Sequence, residues 1–196
     1  MTKQPYRLSV LLVAGCVAVA AGAALADELA DPERFGFGRA AAAAEIAAWD
    51  IDVKPDGAGL PPGSGTVAGG AAIYAARCAV CHGRTGVEGP NDRLVARPGE
   101  RFPAGDDPDS WQKRTIGNYW PFASTVFDYV RRSMPQNLPG SLQDDEVYAL
   151  TAYLLYLNGI VPEDAVMDAE TLADIRMPAQ GNFHADDRLD HTEVHR

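Results

Sequence analysis

The chain has 196 residues, of which 17 are Lys or Arg and 27 Asp or Glu, a formal net charge of −10. Such an acidic surface repels nucleic acid and anionic lipid, and it suits a soluble protein that meets basic patches on its partners. The length allows one domain with extensions.

Residues 1–26 read as an export signal. Lys3 and Arg7 form a positive start, residues 8–24 form an uncharged apolar run, and Ala24-Leu25-Ala26 before Asp27 fits a small-x-small cleavage site. Cleavage there also removes Lys3 and Arg7, so 17 less two basic groups face 27 acidic ones, a balance of −12. Retention of the run as an anchor is the alternative. Val13-Ala14-Gly15-Cys16 also resembles a lipoprotein box, with Cys16 as a lipid anchor, but the apolar run continues well past it.

Residues 27–66 form a long, mostly irregular N-terminal arm. A short helix is expected over 40–48, followed by a stretch rich in Pro, Gly and Asp. Trp49, Ile51, Val53 and Leu60 argue that this stretch is pinned to its own domain or to a partner.

A helical domain is expected over 67–160. An Ala-rich helix over 69–77 runs into Cys78-Ala79-Val80-Cys81-His82, and C-x-x-C-H is the attachment signature of a c-type haem. The thiols of Cys78 and Cys81 add across the haem vinyl groups, and His82 is the axial iron ligand. The chain has three cysteines, so with Cys16 in the signal the motif uses both that remain, and one haem c is expected. A redox dithiol of the thioredoxin type would need a preceding strand and a βαβ setting, neither of which is visible. A zinc site would need further cysteines or paired histidines.

The loop over 86–94 carries Gly89-Pro90, and a backbone carbonyl near Pro90 is expected to accept from the second nitrogen of His82. Residues 106–117 are polar and turn-rich around Trp111. Tyr119 and Trp120 are candidates for the haem pocket, with ordinary core packing as the alternative. Ser124 is expected to cap a helix over 125–132. Arg131 and Arg132 read as propionate partners, a docking patch or a solvated helix face.

Met134, in Met134-Pro135, is the expected sixth ligand, because His/Met ligation is the usual electron-transfer pairing. Its alternative is apolar filling, the role expected of Met167 and Met177. Ser141 with Asp144 suggests a capping box for a helix over 142–158, which Gly159 ends. Val147, Leu150, Leu154 and Leu157 share one face of that helix. Residues 161–196 form a C-terminal extension, with a helical turn or two over 168–175 and a polar tail carrying His184, His191 and His195. No strand pattern and no internal repeat is visible, so the fold class is all-α.

The Cys78-Ala79-Val80-Cys81-His82 motif after a short helix, Gly89-Pro90, Met134-Pro135 and the capped C-terminal helix together resemble a class I cytochrome c over roughly 67–160. A narrower resemblance, to the haem subunits of Sox-type sulfane or sulfite dehydrogenases, rests on stretches in each half. These are Phe35-Gly36-Phe37-Gly38-Arg39, the segments 44–53 and 60–63, Asn118-Tyr119-Trp120-Pro121-Phe122, the segment 146–159, and Arg176-Met177-Pro178. That resemblance implies a periplasmic cytochrome that accepts electrons from a molybdenum-containing catalytic partner and passes them to another cytochrome. Catalysis then lies on the partner, and no membrane span remains after cleavage. Better-known members carry two haem domains; the single C-x-x-C-H here matches the first. A free carrier for another dehydrogenase, such as a quinoprotein, and a haem enzyme with an open sixth position are the competing readings.

Overall fold

The computed structural model describes residues 38–103 and 109–184. The expected signal over 1–26 with Cys16, the start of the arm, and His191 and His195 lie outside the described residues. The chain divides into two units between Trp49 and Asp50. In the first, helix α1 (Ala43–Trp49) is a seven-residue element that buries none of its side chains. Its start is held by Glu45, which accepts from the Ala42 N–H at 2.8 Å and from the Arg39 guanidinium at 2.8 and 2.5 Å.

The second unit is built round two helices, α2 (Val67–Arg77) and α5 (Asp144–Leu157), which form its main helix pair. Thr66 starts α2, its hydroxyl accepting the Gly69 N–H at 3.1 Å. The sequence after Thr66 makes the α2–α5 crossing possible. A Cβ on Gly70 would lie 1.9 Å from the Ala149 carbonyl oxygen, and one on Gly65 would lie 2.1 Å from the Ala149 nitrogen. Glycine is required at both positions because backbone meets backbone there.

Helix α5 is buried round most of its circumference. Tyr148 and Leu155 are as buried as Val147 and Leu150, so the single apolar face read from the sequence understates its central place. Its start is displaced from the expected Ser141 and Asp144. Glu146 instead accepts the Gln143 N–H at 2.9 Å, and Asp144 takes the Nε–H of Arg131 at 3.0 Å. Gly159, at φ 67°, ends the helix as expected.

Helix α4 (Ala123–Ser133) packs against α5. Ser124 is not its cap. It is buried in the first turn, and its hydroxyl donates to the Pro55 carbonyl at 3.0 Å.

That bond is one of five holding residues 50–64, an irregular strap, against the domain. The Val53 N–H reaches buried Asp128 at 3.0 Å, and the Ile51 carbonyl accepts from Arg131 at 3.1 Å. The Tyr148 hydroxyl donates to the Pro61 carbonyl at 2.7 Å, and the Ser64 N–H donates to Asp145 at 2.8 Å. With Val53 also buried, the second half of the expected arm is part of this unit.

Two three-residue strands correct the expectation that the fold holds none. β1 (Ser64–Thr66) and β2 (Val166–Asp168) pair antiparallel, with Gly65 opposite Met167. The pairing returns the C-terminal segment to the start of α2. Asp168 then caps the short helix α6 (Ala169–Ala173), accepting the N–H groups of Glu170 and Thr171 at 3.1 and 2.9 Å. Val161, Met167, Leu172 and Met177 are all buried, so this extension completes the core. Among the described residues no helix is long and apolar enough to cross a membrane.

Candidate haem-binding site

The motif sits where α2 ends. Cys78 closes that helix, its N–H on the Tyr74 carbonyl at 2.9 Å, and also opens the single-turn helix α3 (Ala79–His82). The N–H groups of Cys81 and His82 both fold back to the Cys78 carbonyl, at 3.1 and 3.0 Å. One turn therefore carries both thiols and the imidazole. Gly83, at φ 81°, ends the turn, and its carbonyl is held at 2.9 Å by the hydroxyl of buried Tyr74.

Cys78 is half-buried and Cys81 exposed, and neither is in a disulfide. Burial pushes the Cys78 thiol up to about 11. A helix rather than a strand precedes the motif, which is not the setting of a thioredoxin-type dithiol. Among the described residues no group of three or more His, Cys, Asp and Glu side chains is arranged to hold a metal ion.

Nδ1 of His82 lies 2.7 Å from the carbonyl oxygen of Asp92. A carbonyl only accepts, so Nδ1 donates here, and in the neutral ring Nε2 then keeps its lone pair for a metal. The acceptor belongs to the expected loop but lies two residues beyond Pro90, which is exposed. The reason is the path of the backbone. A Cβ on Gly89 would lie 2.2 Å from the Cys81 oxygen and 2.3 Å from the His82 carbonyl carbon, so the loop lies directly on the motif here. Pro90 has no N–H. The Asn91 N–H therefore takes the Cys81 carbonyl, at 3.0 Å, and the carbonyl of the following residue, Asp92, meets the ring.

Glu88 closes the same loop. Its carboxylate accepts from the Thr85 hydroxyl at 2.5 Å, the Thr85 N–H at 3.1 Å and the Val87 N–H at 3.2 Å. The Thr85 hydroxyl, helped by these backbone donors, holds the carboxyl down at about 2.

The other candidates lie on or beside α4. Met134 closes α4, its N–H on the Val130 carbonyl at 3.1 Å, and its half-buried side chain lies at the edge of the core. Trp120 precedes α4 and meets Tyr129 edge-on, with ring centres 5.6 Å apart. Tyr119 is built into a different cluster. It stacks on Phe102 at 5.5 Å, meets Phe183 edge-on at 5.5 Å and carries the Arg114 guanidinium over its ring at 4.3 Å. In this cluster it fastens the C-terminal segment to the domain. Arg131 is part-buried, whereas Arg132 is exposed on its helix. Arg131 serves Asp144 and the strap, while Arg132 pairs with Asp128 one turn back.

Residues 65–154 match the family model described as cytochrome c oxidase, cbb3-type, subunit III. A comparison with curated protein sequences gives no match. Among solved structures, a chain of the sulfane dehydrogenase SoxCD from Paracoccus pantotrophus is 45% identical, with a TM-score of 0.66 over 82% of this chain and 76% of that one. The chain belongs to the Sox-type cytochromes c. In this cytochrome Cys78, Cys81 and Nε2 of His82, carried on one turn, would be the donor set for a covalently held haem. When bound, haem supplies an iron that carries one electron at a time.

Two contributors to the site escape a reading of the cytochrome's sequence. Asp92 acts through its backbone, which any residue provides equally, so its side chain carries no signal. Glu88 does carry one, since Thr85-x-x-Glu88 has the spacing of a capping box, but no apolar helical run follows to draw attention to it.

Proposed function

We propose that this cytochrome carries one haem c and serves as the electron-accepting subunit of a periplasmic sulfur-compound dehydrogenase. Cys78 and Cys81 hold the haem covalently, and His82 and Met134 are its axial ligands. A molybdenum-containing subunit oxidises the substrate and another cytochrome takes the electrons onward. Export through residues 1–26 brings the chain to that compartment. The observation that carries the reading is the 45% identity to a sulfane dehydrogenase chain over most of both chains. A single haem follows from the single C-x-x-C-H. The Met134 assignment is supported by the fate of Met167 and Met177, which are 5% and 2% exposed in the core and so already committed to packing.

His82, oriented by Asp92, would offer a basic nitrogen to the iron, and the Met134 thioether would complete its ligand set and keep substrates off the metal. The chain then relays electrons rather than performing the oxidation. Purification of the affinity-tagged protein from its native host tests the assignment. The expected preparation contains a second subunit and molybdenum in equal amounts to haem, with one haem per chain. A fully haem-loaded protein free of molybdenum and of any second subunit would favour the free-carrier reading instead.

A further inference from the structure

The axial imidazole is held by a backbone carbonyl, and the position of that carbonyl depends on a loop whose glycines, Gly83 and Gly86, are buried while most of its side chains face solvent. Thr85, Glu88, Pro90, Asn91 and Asp92 are all exposed, and the loop makes two turns at positive φ, at Gly83 and Gly86. Backbone bonds tie it at two places, the Asn91 N–H on the Cys81 carbonyl at 3.0 Å and the Leu94 N–H on the Gly86 carbonyl at 2.8 Å, and one side chain closes the stretch between Gly83 and Gly89. The Glu88 carboxylate gathers three donors from Thr85 and Val87 and lies over Gly83, where a Cβ would come within 2.8 Å of its carboxyl carbon. Gly83 in turn sits against the Gly89 backbone, 2.7 Å from Cβ to nitrogen on the same construction. Glu88 thus clamps Gly83 and Thr85 to the beginning of the Gly89–Asp92 run, whose last carbonyl faces His82.

We infer that Glu88 is a positioning residue for the axial ligand: its carboxylate fixes the loop so that the Asp92 carbonyl accepts the His82 Nδ1–H. This rests on His82 being an iron ligand. The hydrogen bond at Nδ1 makes the ring more basic toward the metal, which favours the ferric state. Loosening the loop weakens that bond and raises the reduction potential. Removing a negative charge raises the potential as well, so the potential alone does not separate positioning from charge. Exchange of the Nδ1 proton with solvent does, because it reports whether the carbonyl is in place.

The test uses the haem-loaded protein, with the Nδ1–H of His82 followed by NMR and the potential by redox titration. Glu88→Ala is expected to speed exchange of that proton about tenfold, the factor that follows from losing a hydrogen bond worth about 1.4 kcal/mol, and to raise the potential. Glu88→Gln loses the charge but keeps an oxygen acceptor, so its exchange rate moves less than that of Glu88→Ala. Thr85→Val keeps the charge and loses the hydroxyl contact; it speeds exchange several-fold and covers the case in which Glu88→Ala does not fold. Equal potential shifts in the Ala and Gln variants, with Nδ1–H exchange unmoved in them and in Thr85→Val, would overturn the inference and leave a charge effect only. A parent protein without the spectrum of histidine-ligated haem would overturn the ligand assignment itself. That result is distinct from a normal spectrum with an unmoved proton.

Discussion

Gly70→Ala is expected to destabilise the haem-loaded protein by about 3 kcal/mol or more, lowering its melting temperature by roughly 6–12 °C. Two effects compete. Alanine favours a helix over glycine by about 1 kcal/mol, which would stabilise α2. Against that, the new methyl group would sit 1.9 Å from the Ala149 carbonyl oxygen and 2.6 Å from its carbon. These are backbone atoms of α5 and have no rotamer to escape into, so either the helices move apart or the ladder of α5 distorts. The clash wins. Gly69→Ala is the natural control, since there a Cβ meets the Thr66 hydroxyl at 3.2 Å and the Ala149 methyl at 3.7 Å. Its change is expected to stay within about 1 kcal/mol of the parent. Thermal unfolding followed by far-UV circular dichroism distinguishes the two, and equal melting temperatures would remove the helix crossing from its central place in the fold.

Met134→Ala is expected to abolish the weak red absorption band of ferric iron–thioether ligation. The potential should fall by on the order of 0.1 V, a modest part of the roughly 0.8 V that axial ligands command. A thioether favours ferrous iron, so a water or a nitrogen in its place shifts the balance toward ferric. Met177→Ala supplies the contrast. Its side chain is 2% exposed among core residues, so that variant loses stability, about 2–5 kcal/mol, while its spectrum stays as in the parent. Optical spectra of the oxidised proteins decide between them. An unchanged spectrum in Met134→Ala would remove Met134 from the iron.

The contrast among the methionines shows where the sequence is informative and where it falls short. Cys78, Cys81 and His82 are legible because the chemistry demands those side chains at that spacing, and the structure places them on one turn. The end of α5 at Gly159 is legible for a similar reason, since positive φ there favours glycine. The strap over 50–64 is not. Its residues look like a linker because the groups that fasten it to the domain are distant in the chain; they are Asp128, Arg131, Ser124, Tyr148 and Asp145, about 70 to 90 residues away. The two strands are invisible because three residues are too few to show alternation, and Ser64-Gly65-Thr66 has no apolar side to repeat. The caps at Ser124 and Ser141 fail differently. Either serine suits a cap by type, but Ser124 serves Pro55, and Glu146 starts α5 from Gln143 instead. Near the haem site the error is smallest: the loop is the expected one, and only its backbone register differs, from Pro90 to Asp92.

These residues come together in one account, an electron relay whose substrate chemistry lies on another subunit. The most direct measurement mixes the oxidised, haem-loaded cytochrome anaerobically with the molybdenum-containing subunit of a sulfane or sulfite dehydrogenase and its substrate, and follows the haem absorption. The account predicts full reduction of one haem per chain, dependent on both the partner and the substrate. Haem that stays oxidised with an active partner and substrate present, or that is reduced by the substrate with no partner at all, would contradict it.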